Sequence, residues 1–349
     1  MSEAERWHPA PGRSLEAARR VAPGSVPADA TERPITVDQT NVSVVVGEAV
    51  VVKWLQPPVP QPSDTVTALR HLTAAGFAEM PGFHGAFVDD TATVVLAMVT
   101  ALVPDALDGW DWFVDELAAG LDDGSLSPAL TSAEAVGALA GRMHAAFATS
   151  TDVIPDPVGF GAVVDEHDRG VALLTDALGC TTGPEGLRLA ERAARIRAAI
   201  DALEQVGVVP VQHVHGDLHV GQMLRSDAAL LVNDFDGNPI VPHGERHRPR
   251  SPMVDLAGLV QSVDHVGRIV ARRRPEHLAE IERFVADAVR RVEHGYRTVR
   301  PEQPDDGTLL MALRVIQELH ELVYAARSLP RWLYVPDAAL QSMFPGDEP

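Results

Sequence analysis

The apolar residues of this chain change their periodicity once along its length, and that change limits the folds open to it. The first part has the pattern of strands, beginning with β-branched runs at residues 40–46 and 49–55. Gly47 and Glu48 separate these runs, which predicts a hairpin. Residues 64–75 then follow with helical spacing. Two further strands are predicted at residues 85–88 and 93–99.

From Pro104 onward the apolar spacing is mostly helical. Helices are predicted at residues 112–121, 132–148, 186–205, 275–296 and 309–329. The exception is residues 208–241, where short apolar runs enclose polar clusters. The sequence therefore predicts a bilobal α+β fold, with a β-rich lobe over residues 1–103 and a mostly helical lobe over residues 104–349.

Charge and cysteine content restrict the partners and the compartment. A formal net charge of −20 repels phosphate backbones and anionic membranes, so a small molecule is the expected partner and nucleic acid is not. The single cysteine, Cys180, leaves no internal disulfide and suits a reducing cytoplasm. No apolar run approaches the length that spans a bilayer. We expect a cytoplasmic protein without membrane attachment, either monomeric or a weak homodimer.

The use of lysine is the sharpest compositional feature. Of the 29 basic residues only Lys53 is a lysine, and every other one is an arginine. A lysine that stands alone indicates a position where a guanidinium does not serve, such as a compact charge that pairs with ATP phosphates. Lys53 lies on the second strand of the predicted hairpin, where a nucleotide-binding lobe would carry it. The alternative is chance survival on a solvated strand.

The segment HVHGDLHVGQMLR, followed by LLVNDFDGNP, contains the residues that phosphoryl transfer requires. Asp217 follows the short apolar run at residues 208–211, Gln222 lies five positions later, and Asp234 comes just after a predicted strand at residues 230–232. The reaction needs a carboxylate that accepts the proton of the attacking hydroxyl, and oxygen ligands for Mg²⁺.

We therefore assign Asp217 as the catalytic base, with Gln222 and Asp234 as metal ligands. Asp236 is expected to complete a second metal site or to face the substrate, and His215 is placed among the residues that face the acceptor. The alternative is a pair of turns that cap helices, with His215 packed in its loop. Together with Lys53 in a preceding β-lobe, the spacing favours an ATP- and Mg²⁺-dependent kinase.

These motifs, with Glu245 and Arg246 and the segment SPMVDLAGLVQSVDH, resemble those of maltokinases and, more closely, of the actinobacterial glucosamine kinases. Both groups are similar to the aminoglycoside phosphotransferases. Further matches are GWDWF, LAGRMHAAFA and YAARSLPRWLYVPD, so the resemblance covers most of residues 35–345. It implies a protein-kinase-like fold with a hinge between its lobes.

The resemblance also implies roles in nucleotide binding. Ala97, Met98 and Val99 would form the hinge whose backbone meets adenine. Asp64 is the best-placed acid to pair with Lys53, and Glu79 is the alternative. Asp255 is expected to begin a helix, with a capping role favoured over a hydrogen bond to the catalytic loop.

The C-terminal helix carries the residues that would choose the acceptor. Gln317, Glu321 and Tyr324 follow one another at i, i+4 and i+7 on one side of it, and Trp332 comes shortly after its end. Acidic and amide groups can hold a protonated sugar amine, and an indole can stack on a sugar ring. A solvated helical face is the alternative.

The resemblance favours glucosamine, phosphorylated at its 6-hydroxyl, as the acceptor. A kinase for maltose or for an aminoglycoside-like amino sugar is the second possibility. A pseudokinase that only binds nucleotide is the third, although the presence of Lys53, Asp217, Gln222 and Asp234 disfavours it.

Overall fold

The computed structural model describes residues 9–35, 41–227, 229–238, 241, 246, 248–302 and 307–345. Pro239 and Glu245, which belong to the motifs above, lie outside these residues. Among the described residues, no helix combines the length and the apolar composition that crossing a bilayer requires.

The small lobe is built on one five-stranded antiparallel sheet. Its strands are β1 (Glu32–Ile35), β2 (Val42–Val46), β3 (Val50–Pro60), β4 (Phe83–Val88) and β5 (Val94–Ala101). Their order in the sheet is β1-β2-β3-β5-β4, so β5 lies between β3 and β4. The helix α2 (Asp64–Ala74) connects β3 to β4.

Alternation along β3 decides which side chains face the rest of the molecule. Val50, Val52 and Trp54 are buried under α1 (Arg13–Val21), which covers one face of the sheet. The indole N–H of Trp54 donates to the hydroxyl of Ser14 at 3.0 Å and ties this helix to the strand. Because successive side chains of a strand point to opposite faces, Lys53 lies on the face away from α1.

The large lobe is helical. Its helices are α3 (Gly109–Asp123), α4 (Ser127–Phe147), α5 (Val164–Cys180), α6 (Gly183–Asp201), α7 (Met253–Arg273), α8 (Leu278–Val299), α9 (Thr308–Ser328) and α10 (Tyr334–Met343). Two short antiparallel ribbons accompany them, β6 (Gly159–Ala162) with β7 (Val208–Val211) and β8 (Met223–Arg225) with β9 (Leu230–Val232). These ribbons flank the His-Gly-Asp loop, so they determine where its side chains point.

The predicted α+β class and the two-lobed division into sheet and helices are confirmed. The hairpin of β2 and β3 and the strands β7 and β9 lie where the sequence placed them. The helix α5 was not predicted, and its first turns contain the acidic residues Asp165, Glu166 and Asp168. This omission matters for the active site, to which α5 contributes.

The helices α4 and α8 pack at unusually short range, and glycines make this possible. A Cβ atom on Gly137 would lie 2.0 Å from the carbonyl oxygen of Val292, and one on Gly295 would lie 2.1 Å from that of Glu134. Neither contact can be relieved by a side-chain rotation, since backbone atoms are involved.

We expect Gly137→Ala to lower the free energy of unfolding by about 1–3 kcal/mol or more, because the two helices must move apart. Gly179→Ala is the matched control, since Gly179 lies near the end of α5 with no atom within 4 Å of the added Cβ. Alanine there should be neutral or stabilise the helix slightly. Denaturant unfolding of both variants measures the difference, and equal stability of the two would contradict the packing argument.

Candidate active site

The backbone of the loop containing Asp217 is hydrogen-bonded to one buried carboxylate, that of Asp255. Asp255, in the first turn of α7, accepts the backbone N–H of His215 at 2.7 Å through one oxygen. Its other oxygen accepts the backbone N–H of Gly216 at 2.9 Å. The expected capping role of Asp255 is therefore wrong, since it bonds the catalytic loop and not the N–H groups of its own helix. This arrangement fixes the backbone immediately before Asp217.

A second layer of hydrogen bonds supports Asp255. His144 of α4 lies 2.9 Å from Asp255 through Nε2 and 3.0 Å from the hydroxyl of Tyr296 through Nδ1. All three side chains are almost completely buried. Burial opposes the charge on Asp255, but the hydrogen bonds from His144 and Gly216 outweigh it and keep the pKa of Asp255 below its ordinary value. The loop thus rests on an ionised carboxylate.

Removing the hydroxyl of Tyr296 tests the hydrogen bonds that support Asp255. We expect Tyr296→Phe to lower the free energy of unfolding by about 1–3 kcal/mol, because His144 loses a buried partner while the ring still fills its space. The control is Tyr334→Phe on α10, whose ring is half-buried and stacks on Trp332. Thermal unfolding of the two variants is the measurement. A loss of stability no greater for Tyr296→Phe than for Tyr334→Phe would exclude a supporting role for this hydroxyl.

His215 joins the two halves of the catalytic segment. Its Nε2 lies 2.9 Å from the carbonyl oxygen of Asn233, and its Nδ1 accepts the backbone N–H of Asp217 at 3.3 Å. Only 1% of the residue is exposed, and its ring lies against Phe235. Its assignment as an acceptor-facing residue is therefore wrong: it orients Asp217 relative to Asp234 from within the protein.

Lys53 and two aspartates bring the lobes together. The Lys53 ammonium lies 2.7 Å from Asp234 and 2.9 Å from Asp236. Asp234 adopts a positive φ of 60°, a conformation that costs energy in a non-glycine residue and is typical of functional sites. Burial opposes its ionisation, but Lys53 outweighs this and holds the pKa of Asp234 below its ordinary value. Asn41 also donates to Asp236 at 2.9 Å.

Neither acid proposed to pair with Lys53 does so in this structure. Asp64 is exposed in the first turn of α2, where its charge suits the helix dipole. Glu79 instead forms an ion pair with Arg142 of α4 at 2.7 Å. Lys53 faces the opposite lobe, so its carboxylate partners come from the Asp234 segment, and the predicted pairing is wrong.

The hinge does not lie at Ala97–Val99, where the sequence analysis expected it. Met98 pairs with Lys53 of β3 on one side and with Ala86 of β4 on the other, and Ala97 and Val99 are likewise in register with both strands. The backbone groups of a central strand are engaged by its neighbours, so these three residues cannot present them to adenine. The sheet extends to Ala101, and the connection to α3 begins after it.

Gln222 is hydrogen-bonded through its backbone to Asn233, the residue that precedes Asp234. Its carbonyl oxygen accepts the backbone N–H of Asn233 at 2.8 Å, and its side-chain nitrogen lies 3.4 Å from Nε2 of His219. Burial lowers the pKa of His219 to about 4, so the ring is neutral at physiological pH. The ring of His219 stacks on Trp110 with centroids 5.9 Å apart.

The donor set fits magnesium. Asp234 and Asp236 offer carboxylate oxygens and Gln222 offers an amide oxygen, which are the hard donors that Mg²⁺ takes. No group of three or more potential metal-binding side chains occurs in the part of the chain that the structure describes. Mg²⁺ in kinases needs only one or two carboxylates, because substrate phosphates and water supply the remaining ligands.

A cavity of about 220 Å³ opens beside Asp217. Its wall is formed by α3, the catalytic loop, α5, α7 and α9. The polar side chains that line it are those of Trp110, Glu166, Arg169, Asp217, His219, Asn238, Arg250, Asp255, Gln261, Ser262, His265, Gln317 and Glu321. Burial raises the pKa of Asp217 to about 7, and the carboxylates of Asp234, Glu321 and Asp255 add to this effect.

The α9 residues predicted to choose the acceptor divide into two groups. Gln317 and Glu321 line the cavity, and the Gln317 amide donates to Glu321 at 3.1 Å. Tyr324 shares their side of the helix but lies about 10 Å further along it than Gln317, and it is 41% exposed outside the cavity. Trp332 packs against the core and stacks on Tyr334. Tyr324 and Trp332 therefore do not line this cavity, and their contact with the acceptor stays a prediction.

Behind Glu321 lies a charged pair that the sequence analysis did not identify. His265 of α7 is 3.0 Å from the fully buried Glu318. Burial disfavours a charged imidazole, but Glu318 outweighs it and raises the pKa of His265 to about 9. His265 lies in the quoted segment ending SVDH, and Trp110 in GWDWF, but neither had been given a role. Glu166 and Arg169 could not be found because α5 itself was not predicted.

Comparison with known proteins gives consistent matches. The chain is 40% identical over 330 residues to the glucosamine kinase of Streptacidiphilus jiangxiensis, covering 90% of this chain and 74% of that protein. It is 38% identical over 328 residues to the glucosamine kinase of Mycolicibacterium smegmatis, covering 89% and 79%. A solved glucosamine kinase in complex with glucosamine, ADP and inorganic phosphate has a TM-score of 0.81 at 34% identity, covering 97% and 84%. No protein-family model matches.

The two lobes, with Lys53 facing Asp234 and a buried carboxylate beneath the Asp217 loop, define a phosphotransferase with the protein-kinase-like fold. Identity of this degree over most of both chains identifies the family within that class. The chain belongs to the glucosamine kinase family.

Proposed function

We propose that this protein transfers the γ-phosphate of ATP to the 6-hydroxyl of D-glucosamine. The observation that carries this proposal is the cavity that holds both Asp217 and the Gln317–Glu321 pair of α9. One group can take the proton of a hydroxyl while the other holds an amine of the same small molecule. The solved relative that binds glucosamine, ADP and phosphate supports the same acceptor.

Asp217 is proposed to orient the 6-hydroxyl and to accept its proton. The new bond joins the 6-oxygen to the γ-phosphorus, and the bond between this phosphorus and the bridging oxygen breaks as ADP leaves. Little covalent chemistry is required of the protein, so positioning and electrostatic stabilisation supply most of the rate enhancement. The hydrogen bonds that the N–H groups of His215 and Gly216 donate to Asp255 hold Asp217 in place for this step.

The nucleotide is proposed to lie between the lobes. Lys53 would pair with ATP phosphates, and Asp234 and Gln222 would hold Mg²⁺, with Asp236 available for a second ion. When bound, Mg²⁺ neutralises the charge that develops on the phosphates. Adenine would meet the backbone that follows Leu102, whose own N–H still donates to the carbonyl oxygen of Ala49 at 2.8 Å.

The size and charge of the cavity favour an amino monosaccharide. A volume of about 220 Å³ is smaller than the roughly 300–1,000 Å³ of pockets for drug-sized ligands, which favours one sugar ring over maltose or an aminoglycoside. Burial raises the pKa of Glu321 even though the charged His265 nearby opposes this, so a further cation on the cavity side would stabilise its carboxylate. A protonated amine is such a partner, and the Gln317 amide keeps Glu321 oriented toward it.

We expect Glu321→Gln to raise the KM for glucosamine by about tenfold to a hundredfold, since a hydrogen bond between charged groups is replaced by a weaker one. The KM for ATP should stay close to the wild-type value. Glu302→Gln is the control, because Glu302 is exposed and forms its ion pair with Arg300, outside the cavity. Steady-state kinetics provide both constants. An unchanged KM for glucosamine would remove Glu321 from amine recognition.

The proposed function is tested by ATP turnover with Mg²⁺ against glucosamine, glucose, N-acetylglucosamine, maltose and kanamycin. We expect strong turnover with glucosamine and weak turnover with N-acetylglucosamine, whose amide carries no charge. Preference for maltose or kanamycin would keep the phosphotransfer chemistry and overturn the acceptor. Absence of turnover with every compound would favour a nucleotide-binding pseudokinase.

A further inference from the structure

One side of the acceptor cavity carries charged groups that the proposed reaction does not use. Glu166 and Arg169 project from α5, and Arg250 comes from the strand-like segment that pairs with Gln212. All three charged residues line the cavity. Arg250 donates to one oxygen of Glu166 through two nitrogens, at 2.9 and 2.5 Å. This oxygen is therefore satisfied within the protein.

The other oxygen of Glu166 is in a different position. It is inaccessible to solvent and, among the residues that the structure describes, it accepts no hydrogen bond. Arg169 follows one turn later on α5, and its Nη1 lies 4.0 Å from this oxygen, beyond hydrogen-bonding distance. Burial and the neighbouring Arg250 lower the pKa of Arg169, so its charge gains little from this surrounding. A buried acceptor and a donor whose side chain is 32% exposed thus line the same cavity without forming a hydrogen bond.

The unpartnered oxygen of Glu166 is costly, because an unsatisfied buried polar group loses its interactions with water. A hydroxyl group satisfies both partners at once. It donates to a carboxylate at about 2.7 Å and accepts from a guanidinium at about 2.9 Å, distances that span a 4.0 Å gap with the hydroxyl bent between them. Neither a methyl group nor an ammonium has both capacities.

The order of the substituents around the sugar ring limits which hydroxyl this pair could bind. If the 6-hydroxyl lies at Asp217 and the amine at Glu321, the hydroxyls on C3 and C4 lie along one edge of the ring between them. The hydroxyl on C1 interconverts between two configurations in solution and suits a fixed two-point contact less well. We propose that Glu166 and Arg169 together bind a C3 or C4 hydroxyl of the acceptor, and this inference rests on the proposed function.

The test compares the effect of one substitution in the enzyme with the effect of removing one hydroxyl from the substrate, in the manner of a double-mutant cycle. Wild-type enzyme and Arg169→Met are assayed with glucosamine, 3-deoxyglucosamine and 4-deoxyglucosamine. We expect the wild type to lose about tenfold to a hundredfold in kcat/KM with one deoxy sugar. With glucosamine, Arg169→Met should lose a similar factor in kcat/KM, mainly through a higher KM. Its kcat/KM values for that deoxy sugar and for glucosamine should agree within about twofold. Methionine keeps the apolar stem of arginine and removes its donors.

Arg327→Met is the matched control, since Arg327 is exposed on α9 and pairs with Asp176 of α5 outside the cavity. Its kinetics should equal those of the wild type. A wild-type enzyme that loses nothing with either deoxy sugar overturns this inference while leaving the proposed function intact. A deoxy penalty that persists in Arg169→Met also overturns it. A wild type without activity on glucosamine contradicts the proposed function, and this inference with it.

Discussion

Replacement of Asp217 by asparagine is expected to lower kcat by about 10²–10⁴-fold, the usual contribution of a general base. Asparagine keeps the size and one acceptor oxygen but cannot take a proton at neutral pH. The loop backbone is held by Asp255 and His215 and not by the Asp217 side chain, so the fold should be unchanged. Kinetics with glucosamine, together with nucleotide binding by calorimetry, measure the effect.

The affinity for ATP separates catalysis from structure in this variant. Asp217 lies in the acceptor cavity, whereas Lys53 and Asp234 face each other in the nucleotide region, so the affinity should stay near the wild-type value. Asp227→Asn is the matched control, because Asp227 is exposed between β8 and β9. If Asp217→Asn kept a near-normal kcat, another group would have to be the base. Loss of ATP binding as well would point to a structural role.

Replacement of Lys53 by arginine is expected to lower kcat/KM for ATP by about 10²–10³-fold, the size of effect seen when one preorganised donor is removed from a transition state. The Lys53 side chain is 17% exposed and its ammonium lies within 3 Å of two carboxylates, which leaves little space for a larger planar group. Arginine preserves the charge, so the variant tests geometry and not electrostatics alone. Steady-state kinetics with varied ATP supply the measurement.

An arginine-to-lysine substitution at Arg33 serves as the control. Arg33 lies on β1 and pairs with Glu48 at 2.9 Å, with both side chains more than half exposed. Arg33→Lys should leave kinetics and stability nearly unchanged, since exposed ion pairs contribute little. Wild-type kinetics for Lys53→Arg would show that a generic cation suffices at this position. The presence of a single lysine in the chain would then have no catalytic meaning.

Structural features that depend on residues close together in the chain were predictable from the sequence. The change from strand to helix spacing predicted the two lobes, and the isolation of Lys53 among arginines identified the residue that faces Asp234 and Asp236. The spacing of Asp217, Gln222 and Asp234 likewise predicted side chains that one loop and one ribbon bring together. In each case the information was local, because a hairpin or a short loop leaves its residues few alternative arrangements.

The errors concern residues whose roles depend on neighbours distant in the chain. The hinge was placed at Ala97–Val99 because nothing local shows that β4 pairs with β5 on its free side. Asp64 was paired with Lys53 because both flank the same connection, yet the lysine points to the other lobe. For Tyr324, helical periodicity gives the side of α9 and not how far the cavity extends along the helix, so only the structure shows that Tyr324 does not line it.

The sequence by itself determined the fold class, and it proposed Lys53, Asp217, Gln222 and Asp234 as the residues of the reaction. Tertiary structure alone decided which helices meet around the acceptor and which charges face each other there. Glu166, His265 and Glu321 come from three helices separated by dozens of residues, and no local pattern links them. Their proximity follows from helix packing, in which many weak apolar contacts choose the arrangement, and the polar groups are carried into place by it.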